Sequence, residues 1–156
     1  NLNYQFQDSA WVAESATNSF AGTVKTASQS VQETATATDT AVTPATQQYH
    51  PSAAKWWLKA SVSAGTPSIS SSYNNTSITD NGDGNLTATI ATDFSSANWC
   101  CLALCMGPVS AQGRVPWVVD SGQNAGTVNL TCVTVGSSSP SQTDPTAWYV
   151  AGFGDQ

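Results

Sequence analysis

Arg114-Val115-Pro116-Trp117, followed by Asp120, is the stretch whose residue types could build a ligand site. A guanidinium offers a planar fork of donors to acidic or hydroxyl groups. An indole can stack on the apolar face of a sugar ring. Only four Lys and Arg occur in 156 residues, so a cation beside an aromatic stands out. Arg114, Trp117 and Asp120 are therefore the candidate ligand-binding residues. Trp56, Trp57, Trp99, Trp117 and Trp148 read mostly as core or subunit interface, because aromatics dominate burial energy at both, with a minority facing out as stacking platforms for a sugar ring.

Other chemistries find weaker support. His50 is the one histidine, and no Gly-x-Ser-x-Gly motif accompanies it, so it reads as a joint residue rather than a catalytic base. Paired carboxylates cleave glycosides, yet from residue 51 onward the acids are Asp80, Asp83, Asp93, Asp120, Asp144 and Asp155, mostly beside turn signals. Asp80-Asn81-Gly82-Asp83-Gly84 has hard oxygen ligands in a tight loop, but no bidentate Glu follows at the EF-hand offset, so it reads as a solvated turn. Cys100, Cys101, Cys105 and Cys132 match no common zinc spacing. They read as small buried apolar residues, with a disulfide from Cys132 to one of the others as the rival. No catalytic residue, metal or cofactor is expected.

Composition narrows the class. Charged residues make up 9% of the chain, against about 25% in ordinary domains. The net charge of −6 argues against nucleic acid, whose phosphates need cations. No apolar run approaches a membrane span, so membrane insertion is not expected. Low charge, abundant Ser and Thr and six Trp suit an extracellular or virion protein. A chain opening on Asn1 rather than Met reads as a fragment or a processed product.

Elements that would position the candidate site are mostly strands. Lys55 to Val62 alternates Trp56, Leu58, Ala60 and Val62 against Trp57, Lys59 and Ser61, and Pro67 is expected to end it. Tyr73 to Ile90 reads as a hairpin about Asn81-Gly82-Asp83-Gly84, with Leu86, Ala88 and Ile90 on one face. The run Trp99 to Met106 is almost continuously apolar, predicting a central strand buried on both faces, inside a sandwich or between subunits. Arg114 to Val119, Gly126 to Val135 and Thr146 to Phe153 are further strands, with a surface loop over Gly136 to Ser141. About seven short strands favour a β-sandwich.

The N-terminal part differs. Asn1 to Phe20 matches helix and strand templates about equally and is assigned neither. From Ala21 to Gln48 small residues, Thr and Gln dominate, too little apolar surface to offset roughly 1–2 kcal/mol per residue of backbone entropy. Ser30 and Glu33 have the spacing of a capping box, and Thr43-Pro44 that of an N-cap with proline at the first helical position. Two very short helices joined by an extended Thr38 to Val42 is the simplest reading.

Several of these stretches resemble bacteriophage tail fibres. Gly22-Thr23-Val24-Lys25, Ala27-Ser28, Glu33, Thr38-Asp39 and Ala41-Val42-Thr43-Pro44 look like the short fibre repeat, although Ala37 stands where that repeat usually has glycine. His50-Pro51-Ser52-Ala53-Ala54-Lys55 before Trp57, the Ser72 to Gly84 run and the ending Val150 to Gln156 are similar to fibre tip domains. The resemblance covers most of the chain from Gly22 onward, in order, but leaves Cys105 to Thr143 unmatched.

It implies a mainly β protein: a trimeric fibre with a short α/extended shaft segment over residues 1–50 and a β-sandwich-like tip over 51–156. The implied function is a virion tail-fibre tip, assembled in the host cytoplasm, that binds a bacterial surface receptor or glycan. Its partners would be two further copies and other virion tail proteins. The alternatives are a structural trimerisation cap and, lower, a polysaccharide-degrading tailspike. Assembly in a reducing cytoplasm implies four free, mostly inaccessible thiols.

Overall fold

The structure is a computed structural model that describes residues 4–7, 10–13, 24–108, 113–136 and 140–156. It is mainly β, with 52% strand and 8% helix. The chain divides into two compact units, Asn1–Pro51 and Ser52–Gln156. Gly22 and Thr23 of the repeat-like stretch, and Ser137 to Ser139 of the expected surface loop, lie outside the described residues.

In the first unit, β1 (Tyr4–Gln7) pairs antiparallel with β2 (Ala10–Ala13), so part of the unassigned N-terminal stretch is strand. Two short helices follow, α1 (Gln29–Thr34) and α2 (Pro44–Gln47). The first begins two residues earlier than the Ser30–Glu33 spacing predicts. Ser28 is its N-cap and accepts from the Val31 N–H, while Glu33 accepts from Gln29 instead. The second starts at Thr43-Pro44, and the Thr43 N–H donates to Thr46 Oγ1. The segment between them is tied to the residues before α1 by an isolated parallel bridge from Ala41 to Thr26.

The second unit is two antiparallel sheets. The first contains β3 (Trp56–Ser63), β4 (Thr66–Tyr73), β7 (Cys100–Met106) and β11 (Ala147–Phe153), in the order β4-β3-β11-β7. The second contains β5 (Asn75–Asp80), β6 (Asn85–Ile90), β8 (Gly113–Gln123), β9 (Thr127–Val135) and β10 (Ser141–Gln142). There β9 is central, with β8 along one edge and β6 and β10 end to end along the other. Trp56, Leu58, Trp148 and Val150 from the first sheet meet Leu86, Ile90, Val128 and Leu130 from the second in one buried cluster. This is the alternating, half-buried pattern the sequence carries.

Two readings of the sequence are corrected. Pro67 does not end a strand: β3 runs on to Ser63, Ala64 and Gly65 turn with positive φ, and Pro67 pairs with Val62 inside β4. An edge strand can hold proline because its outward N–H has no partner to lose. The run Cys100 to Met106 is not central but an edge strand, and within one chain it is buried on one face only.

An aromatic cluster closes one end of the sandwich. Phe94 stacks on Trp99 with centroids 4.5 Å apart, and Trp56 meets Trp99 edge-on at 6.0 Å. Gly152 belongs here because a Cβ would lie 3.0 Å from both rings. Trp99 Nε1 donates to the Asn124 carbonyl, and the Lys55 N–H to that of Gly152. The register puts the chain's entry at Lys55, the 91–99 loop, the 124–126 turn and the residues after β11 all at this end. The opposite end carries the Ala64-Gly65 turn, the Asn81 to Gly84 turn, the β7–β8 connection and the approach to β11.

Candidate recognition surface

Arg114, Trp117 and Asp120 all lie on β8, an edge strand, but do not converge. Side chains alternate across a strand, so an odd spacing puts Arg114 and Trp117 on opposite faces. Arg114 pairs in register with Thr134, and its guanidinium donates to Thr134 Oγ1. Its stem packs against Gly107, where a Cβ would lie 2.7 Å from Arg114 Cγ, and its Nε is buried without a partner. Trp117 faces outward beside Thr131 and remains 45% exposed. Asp120 is exposed within the irregular stretch between Val118 and Gln123, next to Ser121 with φ 58°. Of the three, Trp117 and Asp120 present themselves to solvent, whereas Arg114 acts inside the fold.

A second surface went unread in the sequence. The outer face of the four-stranded sheet sets Tyr73 beside Trp57, Trp57 beside Ala151 and Ala151 beside Leu102 across four strands. The neighbouring row runs Lys59, Tyr149, Leu104. Trp57, Tyr73, Tyr149, Leu102, Leu104 and Met106 are all exposed, Leu104 by 70%. Lys59 Nζ sits 5.6 Å from the Tyr149 ring centroid, within cation–π range. The aromatic half can stack on planar or sugar-like ligands, and the aliphatic half on β7 suits dry packing against another protein surface. The signal existed: Leu102, Leu104 and Met106 alternate with Cys101, Ala103 and Cys105, and only the latter three pack against the core.

Two carboxylates of the second unit hold turn amides. Asp80 Oδ1 accepts the Gly82 N–H, forming the turn expected there. Asp144 Oδ1 accepts the Gly84 N–H at 2.7 Å. His50, in the first unit, lines a concavity with Val31, Gln32, Ala35, Ala37, Thr40 and Val42. Among the described residues, no group of three or more His, Cys, Asp or Glu could hold a metal.

The four cysteines are free thiols but not uniformly buried. Cys100 is exposed, Cys101 and Cys105 are half-buried, and only Cys132 is fully enclosed, so the expectation of inaccessibility fails for Cys100. Its place on β7 explains this: Cys100 takes the outer face and Cys101 the inner. Burial pushes the Cys101 thiol up to about 11, with Cys100 a smaller cause. Cys132 rises to about 12, first through burial and then through its contact with Cys105.

No protein-family model, curated protein or solved structure matches the chain.

Proposed function

We propose that this chain is a bacteriophage tail-fibre tip with a piece of its shaft, a homotrimeric adhesin that attaches the virion to a bacterial surface receptor or glycan. The ordered fibre-like stretches suggest the class. The observation that carries the reading is the uncovered outer face of the four-stranded sheet, where large apolar and aromatic side chains stand on a protein with very few charges. Leu102, Leu104 and Met106 suit contact with another copy, while Trp57, Tyr73 and, on the other sheet, Trp117 suit stacking on sugar rings. Three weak sites per tip, and several fibres per virion, raise avidity without strong single contacts.

A structural trimerisation cap is the second reading, favoured by the aliphatic character of β7's outer face. Light scattering on the purified chain, with binding to whole bacteria or a glycan array, separates the possibilities. A trimer that binds supports the adhesin, and a trimer that binds nothing supports the cap. A monomer at micromolar concentration overturns both.

A further inference from the structure

Cys105 lies on the inner face of β7 and Cys132 on the inner face of β9, so the pair spans the two sheets. Their Sγ atoms are 3.5 Å apart. Closing a disulfide brings the sulfurs to about 2.05 Å, a further approach of roughly 1.5 Å that side-chain rotation and a small strand shift supply together. β7 is placed to supply the shift. It is an edge strand, and Cys105 is its penultimate residue, followed by Met106, Gly107 and Pro108. Cys100 and Cys101, by contrast, point to opposite faces of the same strand.

We propose that Cys105 and Cys132 form a redox-switchable brace, a disulfide closed by a low-molecular-weight disulfide when the folded protein meets oxidising conditions. The inference rests on the sandwich alone and not on the adhesin reading. Cys105 is half-buried and so more accessible than Cys132. Its thiolate attacks one sulfur of the small disulfide, forming a mixed disulfide and releasing one small thiolate. Cys132 then loses its proton to solvent or to that thiolate, and its sulfur attacks Cys105 Sγ, expelling the second small thiolate. One small disulfide is reduced to two thiols, and two protein thiols become one protein disulfide.

The second step is the slow one, because burial holds the Cys132 proton. Arg114 works against that, since its positive charge lowers the Cys132 pKa. This gives the inward-turned guanidinium a consequence beyond its hydrogen bond to Thr134. The brace would join residues 27 positions apart in sequence and tie the exposed edge of one sheet to the centre of the other.

The test uses the full chain, purified reduced and incubated natively with excess oxidised glutathione. The expected result is loss of the mass of two hydrogens per chain and a non-reducing peptide map joining Cys105 to Cys132. The melting temperature should rise by roughly 5–15 °C and fall back with dithiothreitol. A Cys100→Ser/Cys101→Ser variant should keep the link, and Arg114→Gln should close it several-fold more slowly. The idea is overturned if the oxidised native chain yields both thiols free, a persistent glutathione adduct on Cys105, or a link through Cys100 or Cys101 instead. The map on the unmutated chain decides this whether or not a variant folds.

Discussion

The Asp144 carboxylate holds the backbone N–H of Gly84 from sixty residues away in sequence. That contact sits where β10 ends and β6 begins along the same edge of β9. Cys132 donates its N–H to the Gly84 carbonyl there and accepts from the Thr143 N–H. A carboxylate is suited to the gap, since a charged acceptor binds an amide about twice as strongly as a neutral one. Gly84 is required for a separate reason. Its φ is +65°, and a Cβ would fall 2.5 Å from Cys132 O and Thr143 N.

Asp144→Ala is therefore expected to destabilise the second unit by about 1–3 kcal/mol, with Asp144→Asn recovering part. Gly84→Ala should cost more, because backbone must shift to admit the methyl. Urea midpoints for the three variants check the ranking. An unchanged midpoint for Gly84→Ala would contradict the packing described.

Arg114 and Trp117 should separate when mutated singly. Trp117→Ala is expected to leave the melting temperature nearly unchanged and to weaken attachment to bacteria. Arg114→Ala should lower the melting temperature, because it removes the stem packed on Gly107 and the donor to Thr134. For comparison, Trp99→Ala should cost about 3–5 kcal/mol, as expected for a large core aromatic. Thermal melts and a cell-binding assay on all three distinguish surface from core.

Thiol reactivity should follow strand position. Iodoacetamide at mild pH is expected to label Cys100 quickly and leave Cys132 unlabelled until unfolding, read by peptide mass. Stability should also respond to alkali. The Cys101 and Cys132 thiols rise from 9.0 to about 11 and about 12 in the folded state. The native state then keeps protons that the unfolded chain gives up, so stability falls as pH rises. The contribution is complete below about pH 9 and is lost towards 11–12. Denaturation midpoints should decline across that window, and less steeply in a Cys101→Ala/Cys132→Ala variant.

Leu102→Asp with Leu104→Asp tests the aliphatic half of the outer face. Both side chains are more than half exposed in the single chain, so the fold should survive the change. If another copy covers them, burying uncompensated carboxylates should abolish assembly. Scattering mass should drop to that of one chain while the far-ultraviolet circular dichroism stays constant. A full-mass assembly would mean that the contact lies elsewhere.

Asn74 offers a test of the crossing between sheets. It adopts φ 56°, accepts from the Thr92 N–H, and donates to the Lys55 and Thr92 carbonyls. Asparagine tolerates this left-handed backbone better than most residues. Asn74→Ala should cost about 2 kcal/mol or more, through lost hydrogen bonds and strain together, while Asn74→Gly should relieve the strain but not restore the bonds. Chemical denaturation of both variants measures the difference.

Strands with one wet and one dry face were legible in the sequence. Leu86, Ala88 and Ile90 alternate with threonines, Trp56 and Leu58 alternate with Trp57 and Lys59, and each alternation became a buried face. β4 was not legible, because its Ser-rich run has no apolar rhythm and its place is set by pairing with β3. β7 announced its hydrophobicity but not its position, since a strand buried on both sides and an edge strand with an uncovered outer face have the same composition. The split between Arg114 and Trp117 was legible in principle: three residues along a strand reverse the side-chain direction. Proximity in sequence had suggested a shared site, and the pleat separates them.

Because Lys55 and Gly152 sit side by side, the polypeptide enters and leaves the sandwich through neighbouring points. A domain with adjacent ends behaves as a cassette. It can be inserted into a surface loop of an unrelated carrier, or its ends can be joined by a short linker and new ones opened elsewhere, with little distortion of the host or itself. The Ala64-Gly65 turn, at the opposite end and exposed, is a natural place to cut for such a permutation.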